Sequence, residues 1–427
     1  MFSLTRAPLI AVSFALFSTA SYSAPGTIAF TGARLIDGTE NPIIENAVLI
    51  SVDGKISAVG PAGSISIPSG AEIIDLEGKT IIPGLINTHG HVGQVLGLES
   101  GHYDRGNVLR QLALYARYGV TMVNSLGDDE YEGFEIRNDQ NPLYINHSRL
   151  MVAGPVLAPS TSEQAVRAVN GVADQNANFI KIRVDDNLGR TEKMPAEIYQ
   201  TIADESEKRG IPLAVHMYNL EDAKATLAAG ADFMAHSVRD QEVDQAFIDA
   251  LKASQVCYTP TLTREVSTYI YESEPDFFSD PFFTKEVDPE IIATLRLPER
   301  QARIRDNASA QHYKNHALPM AMRNLKLLSD AGVNIAMGTD SGPATRFQGY
   351  FEHLEMAMMV EAGMSPLQVI RSATGVAAQC LGLEYLGTLE EGKWTDLLVL
   401  ERNPLEDIAN TKSLTDVWIA GNRVPME

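Results

Sequence analysis

The feature that most constrains the fold is an alternation of short apolar runs with helical patterns through the middle of the chain. Helical patterns lie at 163–177, 196–208, 220–228, 242–253 and 321–331. Apolar runs with the length of strands lie at 81–88, 119–125, 150–156, 179–184, 212–216, 232–236, 256–261 and 333–338. This alternation predicts an α/β protein with a parallel sheet, most simply a (β/α)8 TIM barrel. A doubly wound open sheet is the alternative, but no Gly-rich phosphate loop follows the first strand.

The two ends of the chain share a different pattern, in which short strands alternate with tight turns. Before the barrel, strand-like runs lie at 29–35, 47–52, 56–59 and 71–75, separated by Asp-Gly or Glu-Gly pairs. The same pattern returns at 396–400 and 415–419. We therefore predict a small β-sandwich domain built from both termini, residues 26–82 and 382–427, around a barrel of residues 83–381.

The first residues resemble a secretory signal peptide. Arg6 gives a short positive region, residues 7–17 are apolar, and small residues follow. The apolar run is shorter than the roughly 20 residues that span a bilayer. We predict that residues 1–23 are a signal peptide, cleaved between Ala20 and Ala24, and that the protein is periplasmic or secreted. An N-terminal membrane anchor is the alternative.

Charge and cysteine content narrow the classes of partner. A net charge of -21 argues against nucleic acid or an anionic membrane as a partner. A small-molecule substrate remains, and the sequence leaves a homo-oligomer open. The two cysteines, Cys257 and Cys380, have the surroundings of small buried hydrophobes, although a disulfide is compatible with export.

Polar side chains stand at the ends of five predicted barrel strands, where barrels place their active sites. Any one of them alone is commonly structural, but together they indicate a metal centre. The first strand ends in His-x-His, which directs two imidazoles to the same side because side chains alternate along a strand. Neutral imidazoles suit a zinc-like cation. The residues are His89 and His91, Lys181, His216, His236 and Asp340.

Longer motifs around these residues resemble the amidohydrolase superfamily, in particular its imidazolonepropionase-like, Xaa-Pro dipeptidase (prolidase) branch. The similar segments are EGKTIIPGLINTHGHV, HMYNLEDAKATLAAGADFMAH, MGTDSG and GTLEEGKWTDLLVL. They extend over nearly all of the chain that follows the leader. The resemblance implies the barrel, the split β domain and two divalent metal ions, with zinc the best match to the ligands.

The resemblance also implies a role for each of these residues. His89, His91 and Asp340 would hold the more buried ion, and His216 and His236 the more exposed one. Lys181 would bridge both ions as N6-carboxylysine, formed with carbon dioxide. A hydroxide that bridges the metals would attack an amide carbonyl, and Asp340 would pass its proton to the leaving nitrogen. Tyr218, two residues after His216, would donate to the developing oxyanion.

Two regions depart from the pattern of that branch or add to it. Dipeptidases of the branch carry a histidine in the loop after the third strand, whereas this chain reads AGPVLAPSTSE there. The segment 264–319 is long for a barrel loop and rich in aromatic residues, so it is either a pocket wall or lid, or a surface helix. His312 and His316 lie four residues apart within it, either on a solvated helix face or against the pocket.

These observations predict an exported, binuclear metal-dependent amidohydrolase that cleaves a peptide-like amide bond of a small molecule, such as a dipeptide or an N-acyl amino acid. A mononuclear deaminase or a cyclic amide or amidine hydrolase is the enzymatic alternative, although it needs no bridging Lys181. A metal-free binding or scaffold protein is the remote alternative, because such a protein would lack several of the ligands.

Overall fold

The two ends of the chain meet in one mixed sheet, as the sequence predicts for a domain built from both termini. The computed structural model describes residues 26–426, so the predicted signal peptide lies outside the described residues. The sheet has the order β18-β17-β16-β5-β1-β2-β3, and β4 pairs with β1. Its strands are β1 (Thr27–Leu35), β2 (Ile44–Val52), β3 (Lys55–Pro61), β4 (Glu72–Asp75), β5 (Thr80–Pro83), β16 (Leu397–Leu400), β17 (Leu414–Ile419) and β18 (Asn422–Arg423).

The pairing of β5 with β16 joins the two ends. The strands run antiparallel, and Ile82 lies opposite Leu398. Alternate side chains of the sheet form a separate core, in which the rings of Phe30 and Trp418 pack edge to face with their centroids 5.1 Å apart. This small domain is therefore held by apolar residues from both ends of the chain.

The middle of the chain forms the predicted barrel. Its strands pair in parallel from β6 to β15. They are β6 (Leu85–Gly90), β9 (Val120–Ser125), β10 (Arg149–Val152), β11 (Val156–Leu157), β12 (Ile180–Arg183), β13 (Leu213–His216), β14 (Phe233–Ala235) and β15 (Cys257–Thr259). A two-stranded hairpin, β7 (Val95–Leu96) and β8 (Glu99–Ser100), follows the first barrel strand.

Two barrel strands are less regular than the sequence predicts. The third is divided into β10 and β11 at Gly154-Pro155, because this glycine has a φ of +73° and proline has no N–H to donate. The eighth, predicted at 333–338, closes the barrel through isolated parallel bridges from Ile335 to Tyr258 and from Ser341 to Gly90. Backbone hydrogen bonds also join the last and first strands, for example from the Thr88 amide to the Met337 carbonyl and from the Thr339 amide to the His89 carbonyl.

Helices surround the barrel between its strands. They are α1 (Arg105–Arg117), α2 (Tyr131–Asp139), α3 (Ser162–Ala173), α4 (Ala196–Arg209), α5 (Leu220–Ala228), α6 (Gln245–Ser254), α7 (Leu262–Val266), α8 (Pro281–Thr284), α9 (Pro289–Leu295), α10 (Pro298–Arg305), α11 (Ala308–His312), α12 (Leu318–Asp330), α13 (Tyr350–Glu361), α14 (Pro366–Ser372) and α15 (Gly375–Cys380). Several begin at side-chain caps; for example, the Thr161 hydroxyl accepts from the Gln164 amide at the start of α3. None of the helices in 26–426 is long and apolar enough to cross a membrane.

The insertion between the seventh and eighth strands consists of short helices, α7 to α11, and a π-helical turn at Tyr313–Ala317. Its aromatic side chains form a cluster with residues of α1, α13 and the loop before α13, so they pack the insertion onto the barrel. The cluster contains Tyr118, Tyr271, Phe277, Phe278, Phe283, Tyr350 and Phe351. The end of the insertion lies at the mouth of the barrel, as described below.

A disulfide joins Cys257 on β15 to Cys380 on α15, with a Cα–Cα distance of 5.9 Å. Both cysteines border an apolar cluster that includes Phe233 and Ala377. Helix α15 is thereby fixed to the barrel next to β15. The sequence left open whether these two cysteines are free or paired, and the structure shows them paired.

Candidate metal centre

The six predicted ligand residues converge at the carboxyl ends of the barrel strands. Ligand atoms of His89, His236 and Asp340 all lie within 4.8 Å of one another, and all three residues are buried. The amine of Lys181 is 3.3 Å from His89 Nε2. His91 Nε2 is 2.8 Å from Asp340 Oδ1. The ring of His216 lies against that of His236, with a centroid distance of 4.1 Å.

Hydrogen bonds on the outer side of the imidazoles fix their orientation. His91 Nδ1 pairs with the carbonyl of Gly127 at 2.9 Å, and His236 Nδ1 pairs with the hydroxyl of Thr261 at 2.7 Å. His216 Nε2 lies 3.2 Å from Asp185 Oδ2. Each of these contacts occupies one ring nitrogen, and the second nitrogen of His91 pairs with Asp340. This is the arrangement by which proteins orient metal-binding imidazoles.

The backbone at these positions is strained. His236 has a φ of +79°, Asp340 of +56° and Thr261 of +47°. Residues other than glycine adopt this region rarely, and such strain clusters at active sites and ligand clamps. The surrounding packing therefore holds these three residues in conformations that the isolated chain would avoid.

Burial sets the charge states at the centre. It lowers the pKa of His89 and His236 well below the usual value and that of His216 to about 3, so these imidazoles are neutral. It also lowers the pKa of Lys181 to about 7. Burial alone would raise the pKa of Asp340, but the positive charge of Arg346 and a hydrogen bond from His91 hold it well below the usual value.

This donor set fits a divalent cation. Neutral imidazole nitrogens and an ionised carboxylate oxygen are the ligands that zinc and similar ions take. His89 Nε2 faces the other residues of the centre, since it lies 3.3 Å from the amine of Lys181 and 3.8 Å from Asp340 Oδ1. The residues present therefore fit a metal centre, with Lys181 beside the ligands.

Several residues at the centre were not singled out from the sequence. Arg346 donates from Nη1 to Asp340 Oδ2 at 2.6 Å. Asp185 could have been found, because it follows the end of β12 just as the other site residues follow their strands. No such signal in the sequence pointed to Arg346, because its place at the centre depends on contacts between distant parts of the chain.

Glu352, on α13, is a buried acid behind the first and last barrel strands. Its Oε1 accepts hydrogen bonds from Asn87 Nδ2 at 2.6 Å, Thr339 Oγ1 at 2.8 Å and Ser341 Oγ at 2.7 Å. Asn87 precedes His89 by two residues, and the other two flank Asp340. Glu352 therefore adds side-chain hydrogen bonds to the backbone pairing between the ends of the first and last strands.

Tyr218 and His312 form a contact at the mouth of the barrel. Tyr218 Oη and His312 Nε2 are joined by a hydrogen bond of 2.6 Å, and the guanidinium of Arg239 lies 4.6 Å from the centre of the Tyr218 ring. Of the two histidines of the insertion, His312 contacts Tyr218, whereas His316 is exposed. The role of Tyr218 as a donor to an oxyanion stays a prediction.

Comparison with known proteins relates this geometry to a family. The sequence pattern of the Amidohydrolase family matches residues 80–424. Ochratoxinase from Aspergillus niger is 28% identical over 283 residues, which cover 63% of this chain and 51% of that protein, about half its length. A 5-methylthioadenosine/S-adenosylhomocysteine deaminase from Bacillus cereus is 23% identical over 90% of both chains. A solved structure from Bifidobacterium longum, described as a prolidase, has a TM-score of 0.75 and 25% identity, and the match covers 94% of this chain and 95% of that one.

Proposed function

Because this chain belongs to the amidohydrolase family, whose members hydrolyse C–N bonds, we propose that it cleaves an amide bond of a small molecule with two metal ions. A dipeptide or an N-acyl amino acid is the substrate that this proposal names. One observation carries it: Lys181 is buried among the predicted ligands, 3.3 Å from His89 Nε2. A binuclear centre needs a bridging ligand and a mononuclear one does not, so a lysine in this place supports two ions.

The residues divide into two sets of ligands. His89, His91 and Asp340 would hold one ion, and His216 and His236 the other. When bound, the ions would polarise the amide carbonyl and lower the pKa of water. Zinc is the proposed metal.

Lys181 would join the two sets after modification. Its neutral amine would attack carbon dioxide, forming an N–C bond and releasing one proton, which leaves a carbamate whose two oxygens share one negative charge. Only the neutral amine can react, and the burial that lowers the pKa of Lys181 to about 7 makes that form available near neutral pH. An unmodified ammonium group could not bind a cation.

Asp340 would move the proton. The attacking water gives up a proton as its oxygen bonds to the carbonyl carbon, and the leaving nitrogen needs a proton as the C–N bond breaks. Asp340 is ionised, since Arg346 and His91 hold its pKa low, and can accept the first proton and deliver it to the nitrogen. Tyr218 would donate a hydrogen bond to the carbonyl oxygen as negative charge develops there, held in place by His312.

One observation favours a second candidate. The deaminase match covers 90% of the chain, more than the 63% of the ochratoxinase match, so a mononuclear deaminase or cyclic amide or amidine hydrolase is the alternative.

Export to the periplasm or the medium is also proposed, supported by the leader-like N-terminus and by the disulfide between Cys257 and Cys380.

The deciding experiment is elemental analysis of the purified protein before and after chelation, together with hydrolysis of a panel of dipeptides and N-acyl amino acids. Two ions per chain and hydrolysis that chelation abolishes would support the proposal. One ion per chain would favour the deaminase-like alternative. A protein that binds no metal after reconstitution would refute both.

A further inference from the structure

Glu355 is a second buried acid of α13, three residues after Glu352. Its Oε1 accepts a hydrogen bond from the Leu262 amide at 2.7 Å, and its Oε2 accepts one from the Thr263 amide at 2.7 Å. The Thr263 hydroxyl also lies 2.7 Å from Oε2. The carboxyl group therefore holds the first two residues of α7 from a distant part of the chain.

These contacts replace the cap that a helix usually takes from the residue just before it. The first amides of a helix have no partner within the helix, and a threonine in the capping position commonly accepts from one of them. Thr261 is in that position before α7, but its side chain makes no such bond. Glu355 caps the helix instead, and the hydroxyl of Thr261 is left for another partner.

That partner is the imidazole of His236. Thr261 Oγ1 and His236 Nδ1 are 2.7 Å apart, and both residues are buried. A second hydrogen bond joins the same two segments, since Ser237 Oγ donates to the Pro260 carbonyl at 2.8 Å. Because Nδ1 is occupied, Nε2 is the nitrogen of His236 that remains for a metal ion. The direction of the imidazole therefore depends on where the backbone places Thr261.

The backbone of Thr261 needs external support to keep this position. Its φ is +47°, whereas a residue that caps a helix normally has an extended backbone. A β-branched residue is disfavoured in the left-handed region, and such a conformation persists only where the surroundings impose it. Glu355 binds the amides of the two residues that directly follow, so it restrains the chain at the strained position. A relaxed Thr261 would carry its hydroxyl away from His236.

We propose that Glu355 is a positioning residue for His236: by holding the start of α7, it keeps Thr261 in the conformation in which the hydroxyl fixes the imidazole. This rests on the proposed function, in which His236 binds one of two metal ions. The role differs from that of Glu352, whose hydrogen bonds reach the ends of the first and last barrel strands. Glu355 acts on metal binding through Thr261 and takes no part in proton transfer.

The test measures zinc affinity by titrating the metal-free protein with Zn²⁺ against a competing chelator. Glu355→Gln keeps the shape of the side chain, but its amide nitrogen cannot accept a hydrogen bond, so one of the two backbone amides loses its partner. Loss of a group that orients a ligand costs roughly 10- to 100-fold in metal affinity. E355Q should weaken the binding of zinc by that factor. Thr261→Val, which removes only the hydroxyl, should have an effect of similar size.

The double variant E355Q/T261V tests the route of the effect. If Glu355 acts through Thr261, the second substitution removes a contact that is already lost, and the double variant should bind zinc about as tightly as the weaker single variant. Independent effects would multiply to roughly 100- to 10,000-fold. A loss of that size would overturn the proposal.

The matched control is Asp396→Asn, which changes a buried acid of the small β domain. Asp396 accepts from the Ala420 amide at 2.7 Å and pairs with Arg149, so the substitution disturbs a comparable set of contacts away from the metal centre. D396N should lower the melting temperature and keep the zinc affinity of the wild type. It therefore separates a loss of stability from a loss of ligand orientation.

A second variant tests another route from Glu355 to the centre. The Thr263 hydroxyl contacts Glu355 and also lies 3.1 Å from the Thr339 carbonyl, next to Asp340. Thr263→Val removes this hydroxyl and keeps the backbone amide, so it should weaken zinc binding less than T261V does. A T263V variant as weak as E355Q, together with an unaffected T261V, would overturn the route through Thr261.

The outcomes separate this inference from the proposed function. The number of zinc ions per chain at saturation and the hydrolysis of amides test the proposed function. An E355Q variant with the zinc affinity of the wild type, or one no weaker than D396N, would overturn the role of Glu355 even if amides are hydrolysed. A loss in E355Q that T261V reproduces and the double variant does not enlarge would support that role even if the reaction is a different one.

Discussion

Removing the disulfide between Cys257 and Cys380 should destabilise the fold without changing the chemistry. The bond closes a loop with a sequence separation of 123 residues. In the chain-entropy treatment, closing a loop of that length lowers the entropy of the unfolded chain and so raises its free energy by about 5 kcal/mol at 25 °C. With an unfolding entropy of about 2.1 cal/mol/K per residue over the roughly 400 described residues, the melting temperature should fall by about 6 °C.

The assay is differential scanning calorimetry of the double variant Cys257→Ala/Cys380→Ala. The reduced wild-type protein is the matched control, because it opens the same loop and leaves both side chains in place. Both samples should melt lower by similar amounts, and kcat should stay at the wild-type value, since neither cysteine lies among the predicted ligands. A melting temperature within 1 °C of that of the oxidised wild type in both samples would refute the loop-closure argument.

Three further changes test the centre itself. Lys181→Ala should lose bound metal and most activity, with partial rescue by short carboxylic acids, and full activity with two ions per chain would rule out the carbamate. Asp340→Asn should keep much of the metal but lose about 10²- to 10⁴-fold in kcat, the worth of a general acid or base; wild-type turnover would remove its proton role. Glu352→Gln should weaken metal affinity by roughly 10- to 100-fold in a chelator competition, as does loss of other groups that orient ligands, and Glu361→Gln, at the exposed end of the same helix, should not.

The meeting of the candidate ligand residues could be predicted from the sequence, because strand order in a barrel fixes where polar side chains meet. His89, His216 and Asp340 are far apart in the chain, yet each follows an apolar run, and parallel strands bring their carboxyl ends together. The same reasoning located the eighth strand, which pairs with its neighbours through isolated bridges and backbone hydrogen bonds.

Residues that act from outside the strands could not be located in this way. Glu352 is on a helix with a largely apolar surface, and only packing shows that its carboxylate reaches the first and last strands. Arg346 is on a loop, where no periodicity predicts the direction of a side chain. The pairing of Cys257 with Cys380 likewise depends on how α15 packs against β15, which spacing alone does not determine.

The pairing of β5 with β16 affects how the chain can fold during synthesis. β1 and β2 can form their hairpin early, but the edge of β5 that faces β16 stays open until some three hundred further residues have been made. The ring of Phe30 likewise lacks its cover until Trp418 is made. Contacts so distant in sequence form slowly and leave apolar strand edges open to aggregation. The nascent chain should therefore depend on chaperones until its C-terminal strands have been synthesised.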